Sequence, residues 1–285
     1  MHVVSPRLTI IVPIFNEEKT VDTVLKELVE KPYAFPAQQV VVVDDGSTDE
    51  TPALLRRWHG QPGFIFLRHQ ANRGKGAALR TALGHATGLV SVVQDADLEY
   101  DPSELRSLVE PILRGEREVV YGSRYLAATE PLAWTRFRLA VIVLNGLIRL
   151  MYRVRLTDMA TCYKAMATAL YRRLDLQADG FEVCAEVCAK LGRLGIAVHE
   201  VQISYRPRTK AEGKKITWRD GFSFARTLCL WRLRALAQAS TGDLEAFAPS
   251  LACQPEWAQL ASSGLNRVAG ERFHLGASND PYARG

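Results

Sequence analysis

The sequence predicts an α/β protein with a doubly wound, mostly parallel sheet flanked by helices. Three observations carry this. Short apolar, β-branched runs recur between Leu8 and Ser123, each followed by a stretch of helical periodicity. The runs are nearly continuous in apolar residues, as strands buried on both faces are, instead of alternating. Two of them, "QVVVVDD" and "LVSVVQDAD", end in carboxylates. In an open parallel sheet such ends border the crevice where ligands bind.

The elements follow in order. "LTIIVPIF" (Leu8–Phe15) is a buried strand, and Val21, Val24, Leu25, Leu28 and Val29 then fall at helical spacing. "QVVVV" is the second strand. "TPALLRRW" opens a helix with Thr51 as N-cap and Pro52 at the first helical position. "FIFL" (Phe64–Leu67) is the third strand, "GKGAALRTALGHA" a helix and "LVSVVQ" the fourth strand. Asp101, Pro102 and Glu104 read as a capping box at the next helix, and "EVVYGS" is the fifth strand.

After about residue 130 the pattern changes. Residues 136–155 form a basic, apolar helix. At about 100° per residue, Arg138, Asn145, Arg149, Tyr152 and Arg153 share one face. Leu139, Val143, Leu144, Leu147, Leu150 and Met151 share the other, so this helix and a second at 216–235 are candidates to lie in a membrane interface. Between them "IAVHEVQISYRPR" reads as a strand and "TKAEGKKITWRDGF" as a basic loop; "FARTLCLWRLRAL" belongs to the second helix. The expected organisation is one domain over 1–235 and a weakly ordered tail over 236–285, rich in small and polar residues without period.

The chain has 285 residues, 47% hydrophobic and 24% charged, which is ordinary for a globular protein. Lys and Arg number 36 against 31 for Asp and Glu, an excess too small to argue for nucleic acid. Five cysteines without regular spacing point away from a disulfide framework and towards a reducing compartment. Cys184 and Cys188 share a helical face but lack a His–Cys cluster, so they read as small buried apolar residues. The N-terminus lacks a signal-peptide pattern, and no apolar run reaches the roughly 18–20 residues of a spanning helix.

Asp95, Asp97 and Glu99 carry the clearest chemistry. Carboxylates two residues apart at a strand end suit a hard divalent cation such as Mg²⁺ or Mn²⁺, which takes one or two of them together with phosphate oxygens. Asp101 already fills the capping role. "DDGSTD" is also a good turn composition, and Asp44 reads as a carboxylate that bonds backbone amides. "NRGKGAAL" puts glycines and Lys75 at a helix start, favourable for phosphate, although Lys75 reads equally as a solvated lysine. The segment lacks the spacing of a P-loop and the third glycine of a dinucleotide fingerprint. "NEE" after the first strand, where a glycine-rich turn would stand, argues against a nicotinamide oxidoreductase.

Taken together, "VPIFNEE", "VVVDDGSTDET", "NRGKGAALRTAL", "QDADLEYDP" and "VVYGSRY" resemble, in order and spacing, a family 2 glycosyltransferase of the GT-A fold. "TDMATCYKAM" and "ISYRPRTKAEGKKITWRDGF" are similar to the branch of dolichol-phosphate mannose synthase, dolichol-phosphate glucosyltransferase and bacterial polyprenyl-phosphate relatives. The resemblance runs from Leu8 to Leu233 and implies the following roles. Pro13, Phe15, Glu17 and Asp45 line the base and ribose of a nucleotide sugar, with Lys75 in the same donor set. Asp95 and Asp97 hold metal and donor diphosphate, with Glu99 as a further metal-binding group. Arg124 faces the acceptor phosphate. Arg208 and Lys214 or Lys215 close over both phosphates, although "RTKAEGKK" is longer than the mannose synthases' loop and leaves open which lysine acts.

Plainer readings stand beside these. Arg124 can pair with a structural carboxylate, and Lys214 and Lys215 can form a solvated turn. Glu182 closes a capping box in "DGFE" and is left out of the site, and Asp158 and Lys164 have no assigned step. The implied activity is inverting, metal-dependent transfer of a hexose from UDP-glucose or GDP-mannose to a polyprenyl phosphate. A phosphate acceptor needs no general base, in keeping with six histidines scattered outside the motifs. The enzyme would sit peripherally on the cytoplasmic face of a membrane, and a homo-oligomer is compatible with this. The alternatives are a saccharide acceptor, which would require a carboxylate base, or a silent nucleotide-sugar-binding subunit.

Overall fold

The computed structural model describes residues 7–30, 38–126, 136–208 and 218–240. They belong to one packing unit, Met1–Pro249. The order is β1 (Leu8–Ile14), α1 (Val21–Glu30), β2 (Gln38–Asp44), α2 (Thr51–Arg56), β3 (Phe64–Arg68), α3 (Lys75–His85) and β4 (Val90–Val93). A 3₁₀ turn (Pro102–Glu104) then leads into α4 (Leu105–Leu113), β5 (Val119–Ser123) and α5 (Arg136–Tyr152). The chain continues through β6 (Lys164–Ala167), α6 (Thr168–Arg173), α7 (Val183–Arg193), β7 (His199–Gln202) and α8 (Trp218–Ser240).

The seven strands form one sheet in the order β3-β2-β1-β4-β6-β5-β7. β1 pairs in parallel with β2 and β4, and β2 with β3. The strand order reverses between β1 and β4, the kind of switch point where a crevice opens at the carboxyl ends. β6 is antiparallel to both β4 and β5. Two reversals return β5 to the direction of β4, so the ends of β1, β2, β4 and β5 share one sheet edge. The core is built by β1, β2 and β4, buried almost throughout, with α3 packed on β1 and β2 and α4 on β4, β5 and β6.

The structure corrects several sequence expectations. β6 was not anticipated. "KAMA" is short and carries a lysine and two alanines, so nothing in its composition marks a strand, yet all four residues are buried between β4 and β5. β7 covers only part of "IAVHEVQISYRPR". Thr51 lies within α2 and is not its N-cap; the Asp49 carboxylate accepts the Thr51 N–H (3.0 Å), and Thr51 Oγ1 accepts the N–H of Glu17 (2.9 Å). The Asp101 box is half formed: Asp101 caps Ser103 N (2.9 Å), while Glu104 accepts from Ser204 N (2.8 Å). Glu182 accepts from Gly180 N (3.0 Å) and closes no box with Asp179. α8 (Trp218–Ser240) occupies the helix expected at 216–235, so that its first turns take up the end of the stretch also read as a basic loop, and it continues to Ser240. The tail beyond it lies outside the described residues.

The faces of α5 also differ from expectation. Val141, Leu144, Ile148 and Tyr152 are buried, and the Tyr152 hydroxyl donates to the Leu228 carbonyl of α8 (2.5 Å). Leu144 therefore belongs to the core, and Tyr152 joins it although it was assigned to the polar face. The outward face carries Leu139, Ile142, Val143 and Leu150, the last 80% exposed. α8 likewise buries Phe224 and Leu228 and exposes Phe222 (70%) and Leu233 (61%). Among the described residues no helix is long and apolar enough to cross a membrane. Cys184 and Cys188 are buried free thiols.

Candidate active site

The shared sheet edge opens into a cavity of about 410 Å³. Pro13, Phe15 and Glu17 reach it from the end of β1, Asp45 from β2, Asp95, Asp97 and Glu99 from β4, and Arg124 from β5. Lys75 opens α3 beside it, and Arg208 follows β7. The structure thus gathers every one of these sequence-selected residues at one pocket. Lys214 and Lys215 lie outside the described residues.

Two turns fix the rim. Asn16 adopts φ 50°, a left-handed conformation that asparagine tolerates, and its N–H donates to Ser47 Oγ (2.8 Å) while its Oδ1 accepts from Thr48 N (2.9 Å). Asp44 bonds a backbone amide as expected, accepting from Ser47 N (2.9 Å). Asp45 accepts from the N–H groups of Arg73 (3.0 Å) and Gly74 (2.7 Å). Its Oδ1 also meets His69 Nδ1 (2.6 Å), whose Nε2 reaches Thr81 Oγ1 (2.9 Å). His69 is a neighbour of Asp45 that sequence reading passed over, because it lies outside the motifs and only folding brings β3 beside β2.

The glycines of "NRGKG" serve packing. A Cβ on Gly74 or Gly76 would run into the backbone of Ala178–Asp179, and Ala77 N donates to the Asp179 carbonyl (3.1 Å). The Ala77 amide is therefore spent on the protein, while Gly74 and Lys75 at the start of α3 line the cavity.

The acidic and basic groups interlock. Lys75 Nζ lies 2.6 Å from Asp95 Oδ1. Burial opposes ionisation of Asp95, yet the Lys75 ammonium holds its carboxyl below the ordinary range. Arg208 donates to Glu17 (2.8 and 3.2 Å) and Asp97 (3.0 Å), and its backbone N–H to Glu99 (2.9 Å). Asp97 has its carboxyl pushed up to about 7, first by burial and then by Asp95 and Glu99, with Arg208 pulling the other way. Glu99 also accepts from the Tyr205 hydroxyl (3.1 Å). Among the described residues no group of three or more His, Cys, Asp or Glu side chains is arranged to hold a metal ion. The expected trio of Asp95, Asp97 and Glu99 is therefore not a ready-made cage; Glu99 is turned to the 205–208 segment.

Arg124 takes the plainer reading as well as the pocket position. Its Nε and Nη2 donate to the two oxygens of Asp158 (2.6 and 2.7 Å) while it still lines the cavity. Tyr205, Tyr100, Phe181 and Phe224 complete the walls. Sequence reading missed them because aromatic residues in such segments look the same whether they pack a core or a pocket.

The sequence pattern of "Glycosyl transferase family 2" matches residues 9–177, from β1 to just past α6. The chain belongs to this family. It is a glycosyltransferase, and its mainly parallel sheet is that of the GT-A fold. Among its relatives is an uncharacterized protein of Methanocaldococcus jannaschii, 31% identical over 68% of this chain and 79% of that one. The UDP-N-acetylglucosamine–dolichyl-phosphate N-acetylglucosaminyltransferase of Methanococcus voltae is 26% identical over 73% of this chain and 89% of that one. Others are named as dolichol-phosphate or undecaprenyl-phosphate mannosyltransferases. This chain spans from 33% to 89% of the length of such relatives. Among solved structures, glucosyl-3-phosphoglycerate synthase of Mycobacterium tuberculosis superimposes with a TM-score of 0.57 at 23% identity over 80% of each chain. That synthase has been crystallised with Mn²⁺ and UDP.

Proposed function

We propose that this glycosyltransferase moves a hexose from a nucleotide sugar, UDP-glucose or GDP-mannose, to a polyprenyl monophosphate with inversion. The observation that carries the reading is a single pocket with carboxylates at the end of β4 and a buried guanidinium, Arg124, at the end of β5. The carboxylates suit a hard cation and the donor diphosphate. The guanidinium suits a second anion, the acceptor's phosphate.

Asp95 and Asp97 would hold Mg²⁺ or Mn²⁺. Two carboxylates completed by phosphate oxygens is a donor set these cations accept, and Asp97, pushed up to about 7 by burial and then by Asp95 and Glu99, marks a place where added positive charge is favourable. When bound, the metal would neutralise charge on the departing diphosphate. The protein's own groups do the rest. Pro13, Phe15, Glu17 and Asp45 shape the nucleoside end. Lys75 and Arg208 stabilise the leaving diphosphate, Arg208 exchanging carboxylate for phosphate partners. Arg124 orients the acceptor so that a phosphate oxygen displaces the nucleoside diphosphate at the anomeric carbon. That oxygen is already anionic, and among the described residues no histidine lines the cavity. The lipid phosphate named for the Methanococcus voltae relative supports this acceptor class. The outward apolar faces of α5 and α8, flanked by exposed arginines, support a peripheral position at the cytoplasmic face of a membrane.

A second reading has one observation behind it. A carboxyl near 7 is suited to general-base work, so Asp97 could activate a saccharide hydroxyl. Thermal-shift titration with UDP-glucose and GDP-mannose, with and without Mn²⁺, should show one donor stabilising the protein increasingly with concentration. Transfer of labelled hexose to undecaprenyl phosphate, and none to free saccharides, supports the first reading; the reverse result selects the second.

A further inference from the structure

Arg124 is 4% exposed and Asp158 0%. Three donors converge on the one carboxylate: Arg124 Nε (2.6 Å), Nη2 (2.7 Å) and its backbone N–H (3.1 Å). The Asp158 backbone is tied down in turn. Glu200 accepts from Thr157 N (2.8 Å) and Asp158 N (3.0 Å). The guanidinium carbon of Arg124 lies 4.9 Å from the centre of the Tyr205 ring. A two-pronged pairing fixes the plane of a guanidinium as well as its place, which a single ion pair does not. A buried ion pair is otherwise a weak source of stability, because desolvation offsets most of the attraction. Its value here lies in where it stands, at the wall of the pocket that holds the carboxylates of β4.

We infer that Asp158 is a positioning residue, holding Arg124 in the orientation that receives the acceptor's phosphate. Glu200 serves one step further back by fixing the 157–158 segment. The inference rests on the acceptor reading above, and the test separates the two.

The probe is farnesyl phosphate, titrated calorimetrically into the full chain without donor, with farnesol as the uncharged control. Wild type should bind the phosphate and not the alcohol. Arg124→Lys should weaken binding roughly tenfold, the loss of a two-pronged, charge-assisted contact. Asp158→Asn should weaken it by a similar factor, and the double variant should bind no worse than Arg124→Lys alone, because Asp158 acts through Arg124. A purely structural role would multiply the two losses instead. If wild type binds farnesyl phosphate no better than farnesol, or Arg124→Lys leaves binding unchanged, the acceptor reading falls and the inference with it. If Arg124→Lys weakens binding while Asp158→Asn does not, or the losses multiply, the acceptor reading stands and Asp158 is not its positioner. Should Asp158→Asn fail to fold, Glu200→Gln takes its place, and wild-type affinity in that folded variant overturns the inference.

Discussion

Asp97 is partly buried at the end of β4 beside two other carboxylates, and its carboxyl lies at about 7 in the folded protein against an ordinary 3.8. A group whose folded value is raised binds its proton more tightly when folded. The stability it contributes is full below about pH 4 and is lost as the pH rises through about 7. Asp97→Asn removes that dependence. In EDTA-treated protein the variant should exceed wild type in stability at pH 8 by roughly 1–3 kcal/mol, with the gap shrinking towards pH 5. Thermal melts across this range check it; equal melting temperatures at pH 8 would contradict the burial argument. The same variant should lose transfer, since an amide lacks the charge a hard cation requires. Near-wild-type turnover at saturating Mn²⁺ would take Asp97 out of the metal reading. Asp45 acts differently. It shapes the 73–74 turn from below, so Asp45→Ala should raise the donor KM with little change in kcat, as contacts made equally in ground and transition states do. Steady-state kinetics with an unchanged KM and a collapsed kcat would refute this.

α3 shows how one helix start serves packing and site together. Gly76 leaves no room for a Cβ against the Ala178 carbonyl, whereas Gly84, later in the same helix, faces open space. Gly76→Ala should therefore destabilise by roughly 1–3 kcal/mol through overpacking. Gly84→Ala should stabilise by about 0.5–1 kcal/mol through helix propensity. Urea unfolding of both decides it, and a neutral Gly76→Ala would show that the 178–180 segment yields. What the sequence made legible follows the same division. Strands of continuous β-branched residues, and carboxylates at their ends, were readable because burial on both faces and strand-end placement leave a compositional mark. β6 was not, because a four-residue strand held by neighbours on both sides needs no propensity of its own. The His69–Asp45 contact was invisible, and the carboxylate that pairs with Arg124 could not be named, for a different reason: each contact joins residues far apart in the sequence, and only the fold sets them side by side.

At the scale of the whole molecule, α5 and α8 pack on each other and each keeps an apolar face outward. Leu139, Ile142, Val143 and Leu150 fall within about 100° of arc on α5, close to exposed Arg149 and Arg153. Phe222 and Leu233 share a face of α8 with exposed Arg226. An apolar stripe beside cations suits the headgroup region, where each arginine adds about 1 kcal/mol of attraction to anionic lipid that salt screens. Wild type should therefore float with anionic liposomes at low salt and detach as salt rises. Combined Leu139→Asp, Val143→Asp and Leu150→Asp should abolish flotation while leaving the melting temperature nearly unchanged, because these side chains already face outward. Leu144→Asp tests the geometry from the other side: it places a charge in the core and should cost several kcal/mol of stability. If wild type stays in solution with anionic liposomes at low salt, the interfacial reading of α5 and α8 falls, and the saccharide acceptor becomes the better account of the pocket.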